Sequence, residues 1–512
     1  MFHIIIARVR SDARVRWMLG MGAIIQVLTA LAAIGTYHPD QHFKVVELGL
    51  SILGRPNGGT ALWEVDAHML PSLTMYGFAG YVRGMEFLHL SDHYSMLTLL
   101  RVIVSLLNLA VFAAIIIYNI PKERTIALHA AIFLLCFSFA FPYIRTAYSV
   151  ELLSSTLFFG GCLYFQRRSD AGSNSIGYSL ITGLLFGLAF YCRFQIAFAG
   201  IGFIAWVLLI QKDKWKNIAL IAIAFLAVAA FNTWLDTQFY HQLTITPERY
   251  YHLNITEGKA ASFGTASPLF YIGILAAILL APPFSIYLFA TTFRPLFTRP
   301  KNLYVLCTFV FLVAHFMVSH KEDRFLFPIF GLLPLLSGWA LEEIKPVYET
   351  RPGWLKGLMK GTMWFSVGLN TVLLVLFLFV PYAQGIQFGK QVHDRYQTQA
   401  TPTTVYCLER HPYLTESKNH MVWYHEALNK NVEFITVGKL KPLADSLAGK
   451  PFVLLTTYND LHRDSTDVAV VRALKPSMTS TGLLWSLNEF LGSKGANTIN
   501  EIWALYEIPA TR

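Results

Sequence analysis

Six consecutive residues, His320-Lys321-Glu322-Asp323-Arg324-Phe325, place five ionisable side chains between two apolar segments, 303–318 and 326–343. Each segment approaches the roughly 20 apolar residues that a bilayer crossing needs. A charged cluster at such a boundary faces water, headgroups or a ligand. One reading is a hydrated loop. The other is a site for a phosphate-bearing lipid, with His320, Lys321 and Arg324 supplying the cations and Glu322 orienting or balancing them. A second constellation follows the first apolar segment: His38, Asp40, Gln41 and His42, with Glu47 seven residues after Asp40. A carboxylate held at a membrane surface can take a proton from a hydroxyl, particularly where partial burial raises its pKa. The competing reading of Asp40 is a turn or capping carboxylate after Pro39. The i, i+2, i+4 spacing of His38, Asp40 and His42 does not favour one ligand face, and no compact zinc signature completes it, so no metal is expected.

Other polar residues stand at the edges of apolar segments. Arg145 opens Arg-Thr-Ala-Tyr-Ser-Val-Glu, which ends at Glu151, and Arg193 lies between Cys192 and Phe194 at a tight turn. Either arginine could snorkel or present its fork of donors to phosphate oxygens. Asp236 sits at the end of an apolar segment, and Trp63-Glu64 lies in the long polar stretch before residue 96. Asn254-Ile255-Thr256 fits a glycosylation sequon.

The elements that position these residues follow from composition. The chain has 512 residues, 54% hydrophobic and 14% charged, against about 25% charged in soluble domains. A polytopic membrane protein is expected. The net charge of +10 then reflects basic cytoplasmic loops, and nucleic acid is not an expected partner. Candidate spans are 17–36 (a signal anchor after a basic start), 97–118, 125–142, 148–165, 178–192, 195–210, 217–235, 268–290, 303–318, 326–343 and 361–383. Counted alternately from a cytoplasmic start, the loops 119–124, 166–177, 211–216, 291–302 and 344–360 fall inside, and each is basic. Segment 69–88 holds Pro71, Arg83 and Glu86 and reads as an interfacial helix within a long external loop, 37–96. The unusual polar residues all fall on the outer side.

Residues 1–383 therefore form the expected membrane domain and 384–512 a small external α/β domain. Strands are expected at 403–408, 432–437, 451–457 and 501–508, and helices at 414–429 and 439–448. That domain carries no phosphate-loop or dinucleotide fingerprint. Four of the five cysteines lie in apolar stretches, and Cys407 lacks a nearby partner, so no disulfide frame is expected.

These pieces resemble glycosyltransferase family 22, the dolichyl-phosphate-mannose-dependent mannosyltransferases of N-glycan precursor and GPI-anchor assembly. His320 to Phe325 is similar to the family's HKExRF signature. His38-Pro39-Asp40-Gln41-His42-Phe43 with Glu47 resembles its HPDExx...E segment, Trp63-Glu64 part of TWEW, and Arg145 to Glu151 its RT-S-E opening. Arg193 matches an arginine that the family follows with Pro-Thr, here Phe194 and Gln195. Asp236 and Tyr240 resemble D-S-x-F-Y-G, with His241 for Gly. Phe263 to Pro268 resembles Y-G-T-H-P-W without the His and Trp.

The resemblance implies an α-helical polytopic, large integral-membrane glycosyltransferase (GT-C) fold of about 11 transmembrane helices, with its active site on the non-cytoplasmic side (the periplasm of a bacterium, or the ER lumen of a eukaryote). It implies a polyprenyl- or dolichyl-phosphate sugar donor, most naturally mannose, a glycan or glycolipid acceptor, inversion at the anomeric carbon, and no cofactor. Asp40 takes the position of the base. His320, Lys321, Arg324 and Arg193 take that of the donor-phosphate cations. His38, Gln41, Glu47, Trp63, Glu64, Arg145, Asp236 and Glu322 are the supporting or acceptor-binding set. The departures at Trp63-Glu64 and 263–268 leave the acceptor open. The alternative is a multi-pass transporter or flippase of lipid-linked or anionic substrates. Such proteins place charges near mid-membrane and repeat their halves, whereas here the charges gather at one surface without a visible repeat. A membrane scaffold with a partner-binding external domain is the third reading.

Overall fold

The computed structural model describes residues 2–58, 62–172, 175–211, 214–399, 401–415, 419–426, 428, 431–447, 449–463, 471, 475–493 and 501–510. The chain divides into two compact units. The first comprises 1–33, 62–77 and 98–380; the second comprises 34–61, 78–97 and 381–512.

The first unit is helical. Each expected apolar segment is helical over most of its length, including Ala13–Ala32, His93–Asn119, Val150–Asp170, Ile176–Cys192, Ala197–Ile210, Lys214–Tyr240 and Gly353–Leu378. Among the described residues, four helices are long and apolar enough to cross a membrane, or up to six if each of two bent pairs is one span. Eleven crossings are not established, for a geometric reason. Thr125–Phe137 has only 13 residues, about 20 Å at 1.5 Å per residue, against a hydrocarbon core of about 30 Å. The segment expected at 268–290 is two shorter helices, Leu269–Ala277 and Phe284–Thr292, separated at Pro282-Pro283.

Apolar surroundings force every exposed backbone group to find a partner. Where the chain breaks between Phe137 and Ala140, Asn370 supplies both halves of the answer. Its amide donates to Phe137 O at 2.8 Å and its carbonyl accepts from Phe139 N–H at 3.0 Å. Asp12 caps Ala13–Ala32 by accepting from the N–H groups of Arg14 and Val15, and its second oxygen meets His129 at 2.7 Å. Close helix approach depends on Gly202, where a Cβ would stand 2.6 Å from Cys307 Cα and Leu306 O.

The second unit contains a five-stranded sheet: β1 (Thr403–Leu408), β2 (Val432–Val437), β3 (Phe452–Thr457), β4 (Met478–Thr479) and β5 (Trp503–Ile508), in the order β2-β1-β3-β5-β4. β1 runs parallel to β2 and β3, with Val405 opposite Phe434 and Val453. β5 runs antiparallel to β3 and β4. The four expected strands all form. One expected helix becomes Leu440–Ser446. The other, 414–429, is reduced among its described residues to one turn, Val422–His425. Instead of continuing as helix, the chain doubles back, with Met421 N–H donating to Tyr413 O at 2.9 Å and Leu414 bridging to His420. The segment expected at the interface, 69–88, is helical at Leu73–Phe87, and its Glu86 pairs with Arg55.

The doubled-back chain gathers three histidines. His411 lies 5.9 Å from His420 and 5.8 Å from His425, ring centre to ring centre, and His420 and His425 are 4.7 Å apart. Burial, then the charges of His425 and His420, hold His411 down at about 4, and burial lowers the other two. Glu47 and Glu426 oppose this at His420. A histidine in the unfolded chain titrates near 6.5, so the unfolded state binds more protons between that value and about 4. The second unit is therefore expected to lose stability as pH falls through this window. Thermal unfolding midpoints measured from pH 7 down to 4.5 check this, and His411→Phe should flatten the dependence.

Candidate active site

The cation cluster is assembled within the first unit from segments far apart in sequence. Arg193 occupies an extended residue where helix Ile176–Cys192 ends and a tight turn begins. Arg324 stands in the short turn Asp323–Leu326. Their guanidinium carbons lie 5.3 Å and 5.7 Å from the centre of one ring, Phe325. This is the reach at which a cation is attracted to an aromatic face. Carboxylates balance both. Arg324 Nε donates to Glu322, while Arg193 Nε donates to Gln195 at 3.1 Å and stands 3.4 Å from Glu151 Oε1. Glu151 is fully buried and the Arg324 side chain is 5% exposed.

His320 is held from both sides. Its Nε2 is 3.0 Å from Glu322 and its Nδ1 is 2.7 Å from Gly264 O. Lys321 turns the other way. Its ammonium donates to Val318 O, to Phe316 O at 3.3 Å and to His315 O at 3.5 Å. A cation there caps the last carbonyls of helix Leu303–Met317. Burial also holds that ammonium below its ordinary pKa. The structure thus brings His320, Glu322, Arg324 and Arg193 together, and sends the Lys321 head group onto the helix end.

Around this cluster lies an aromatic edge. Trp63 stacks on Phe263 at 5.7 Å, with Lys259 5.4 Å from the Trp63 ring centre. Phe263 lies 6.4 Å from His320. Glu64 is buried. Asp236 is buried and saturated: it accepts from Ser72 N–H and Oγ at 2.8 and 2.7 Å, from Thr246 at 2.8 Å and from Asn232 at 2.6 Å. It ties the chain before Leu73 to the end of helix Lys214–Tyr240, and Tyr240 adds a bond to Leu70 O. Arg145 is buried with its guanidinium 5.2 Å from the centre of the Phe141 ring.

Asp40 belongs to the second unit. Pro39 begins a helical stretch, Pro39–Gln41, that continues directly into His42–Glu47 and Leu48–Ile52 and is capped at its start by His38, whose Nδ1 accepts the Asp40 N–H at 3.2 Å. The Asp40 side chain is 36% exposed and pairs with Lys44 at 2.8 Å. Gln41 is buried beside it in sequence. The wider turn His42–Glu47 is π-helical, and that pitch brings residue i+5 back over i. Glu47 therefore meets His42 at 2.8 Å, fully buried, instead of sharing the exposure of Asp40. Burial alone would raise the Glu47 carboxyl, but His42, Gly58 N–H and Trp423 N–H hold it below its usual value. Among the described residues, no group of three or more His, Cys, Asp and Glu is arranged to hold a metal ion.

Two features escaped the sequence reading. Arg101, inside an apolar segment, is 1% exposed, with its guanidinium 5.2 Å from the centre of the Tyr148 ring. A lone arginine in a membrane segment was the available signal. Trp423 and Tyr424, fully buried and bonded to Glu47 and Gly35, carried no such mark.

A helical membrane unit with an appended small sheet defines a multi-pass membrane protein, and solved structures share its fold. ArnT from Cupriavidus metallidurans bound to undecaprenyl phosphate is similar at a TM-score of 0.50 and 12% identity, over 95% of this chain and 96% of that one. The family model of the Alg9-like mannosyltransferases matches residues 17–413, and the chain belongs to that family. It is 26% identical over 145 residues to GPI mannosyltransferase 3 of Candida albicans, covering 28% of each protein. Against GPI alpha-1,2-mannosyltransferase 3 of Bos taurus it is 22% identical over 324 residues, covering 60% of this chain and 56% of that one. The chain thus matches less than two thirds of either relative's length.

Asp236 gives the test of a tie against a substrate contact. In Asp236→Asn an amide NH₂ faces buried donors, which should lower stability by roughly 2–4 kcal/mol. Thermal unfolding in detergent checks it, and the KM for acceptor should remain near wild type in the protein that folds.

Proposed function

We propose that this chain is an inverting mannosyltransferase of the non-cytoplasmic membrane face. It moves mannose from a polyprenyl- or dolichyl-phosphate donor to a hydroxyl of a glycan or glycolipid acceptor. The observation that carries the reading is the pair of guanidinium groups, Arg193 and Arg324, gathered at Phe325 beside His320 and balanced by Glu322 and Glu151. Membership of the Alg9-like family supports the transferred sugar, and undecaprenyl phosphate on ArnT supports a lipid-phosphate donor. The basic loops expected inside support the side of the membrane.

In this reading Asp40 accepts the acceptor hydroxyl proton as that oxygen attacks the anomeric carbon. The bond from that carbon to the phosphate oxygen breaks, and the electron pair leaves with the lipid phosphate. Inversion requires the base and the leaving group on opposite faces of the sugar. Arg324 and Arg193 neutralise the charge growing on the phosphate, with His320 as a further donor. Lys321 adds positive charge at the helix end, where its bonds to carbonyls hold it in place. His38, Gln41, Trp63, Glu64 and Arg145 serve as supporting or acceptor-contacting groups.

Asp40→Asn should lower transfer from polyprenyl-phosphate mannose by about 10²–10⁴-fold while the protein stays folded, measured by mass spectrometry of the acceptor product. Wild-type transfer would remove Asp40 from the role of base. Because the cations are side chains, transfer in EDTA should equal that in Mg²⁺. Activity lost in chelator and restored only by a divalent ion would overturn that assignment.

A further inference from the structure

The second unit contains a cluster of contacts that the chemistry above does not use. Glu47 Oε1 accepts the Trp423 N–H at 3.0 Å and meets His42 at 2.8 Å, while Oε2 accepts the Gly58 N–H at 2.9 Å. Tyr424 OH donates to Gly35 O at 2.8 Å, and its ring stacks on His42 at 5.3 Å and 11°. Ala383 N–H donates to Ile34 O at 3.1 Å. Glycine is required at both contact points. Gly35 has φ 98° and a Cβ there would lie 2.5 Å from Ala383 Cβ; at Gly58 it would lie 1.9 Å from His420 O. Trp423 is itself clamped. It stacks on His93 at 4.1 Å, its indole donates to His93 O at 3.2 Å, and Phe78 meets its edge at 5.2 Å.

Asp40 lies between the two pinned points, five residues after Gly35 and two before His42. Asp40 stands in the first turn of a helical stretch that runs unbroken from Pro39 through the π-helical His42–Glu47 to Ile52, so what fixes Gly35 and His42 also fixes where that first turn lies. We infer that the C-terminal α/β domain positions Asp40, with Trp423 and Tyr424 as positioning residues that act through Glu47, His42 and Gly35. This rests on the reading of Asp40 as the base. It also assigns the external domain a part in the transfer step. A base displaced by about 1 Å can cost on the order of 10²-fold in rate.

The test uses the full-length protein with polyprenyl-phosphate mannose and its acceptor. Tyr424→Phe keeps the ring stack and removes the hydroxyl that donates to Gly35 O; Glu47→Gln keeps the shape and removes the charge facing His42. Both should lower kcat about ten- to a hundred-fold, leave the donor KM within about twofold, and move the acid limb of the kcat–pH profile. For Tyr424→Phe the unfolding midpoint should stay close to wild type. Unchanged kcat and acid limb in folded Tyr424→Phe would overturn the inference, as would a rate loss that merely follows the loss of folded protein. Asp40→Asn separates the two readings. If it is inactive while the Tyr424 and Glu47 variants behave as wild type, positioning alone fails. If it transfers at the wild-type rate, both fail.

Discussion

The cost of removing charge from water governs this molecule. A cation or carboxylate in an apolar setting must be matched by opposite charge and by hydrogen bonds, or it is strongly destabilising. The surroundings of Phe325 meet that demand in pairs. Arg324 has Glu322, Arg193 has Glu151, and one aromatic ring serves both guanidinium groups. The pairing keeps two positive charges close together in a buried place. An anionic ligand would find there donors whose desolvation has already been met by folding, which is the condition for preorganised electrostatic stabilisation.

The same rule separates two carboxylates that hold the fold from one that stays in contact with solvent. Asp236 accepts four hydrogen bonds and is buried; Glu47 accepts three and is buried. Each has its lone pairs committed to neighbours. Asp40 differs in that its side chain keeps over a third of its surface in contact with solvent and meets a flexible lysine. Burial and saturation thus sort three acids that sequence position alone would treat alike. The membrane unit applies the rule to backbone as well. Asn370 fills the break after Phe137 with one donor and one acceptor, so the interrupted backbone keeps its partners.

Much of the plan is legible in the amino-acid order, because period and composition are local quantities. The apolar segments became helices, and the four strands from 403 to 508 formed where alternation and β-branched residues placed them. The segment 414–429 did not stay helical. There the chain turns back so that Leu414 pairs with His420, and Trp423 and Tyr424 bond to the distant Glu47 and Gly35; such contacts outweigh a local preference worth only tenths of a kcal/mol per residue. The number of crossings was also illegible, because hydropathy marks apolar runs without saying where prolines break them or how short each helix ends.

The candidate residues themselves, His320 to Arg324, Arg193 and Asp40, were set by the sequence, since their charge beside apolar runs is visible without coordinates. Folding decided which of them meet. It turned Lys321 onto a helix end, put Arg193 at the ring next to Arg324, buried Glu47 against Trp423, and saturated Asp236. Those outcomes depend on which distant segments supply partners, and a hydrogen bond between residues hundreds apart leaves no local pattern for the sequence to carry.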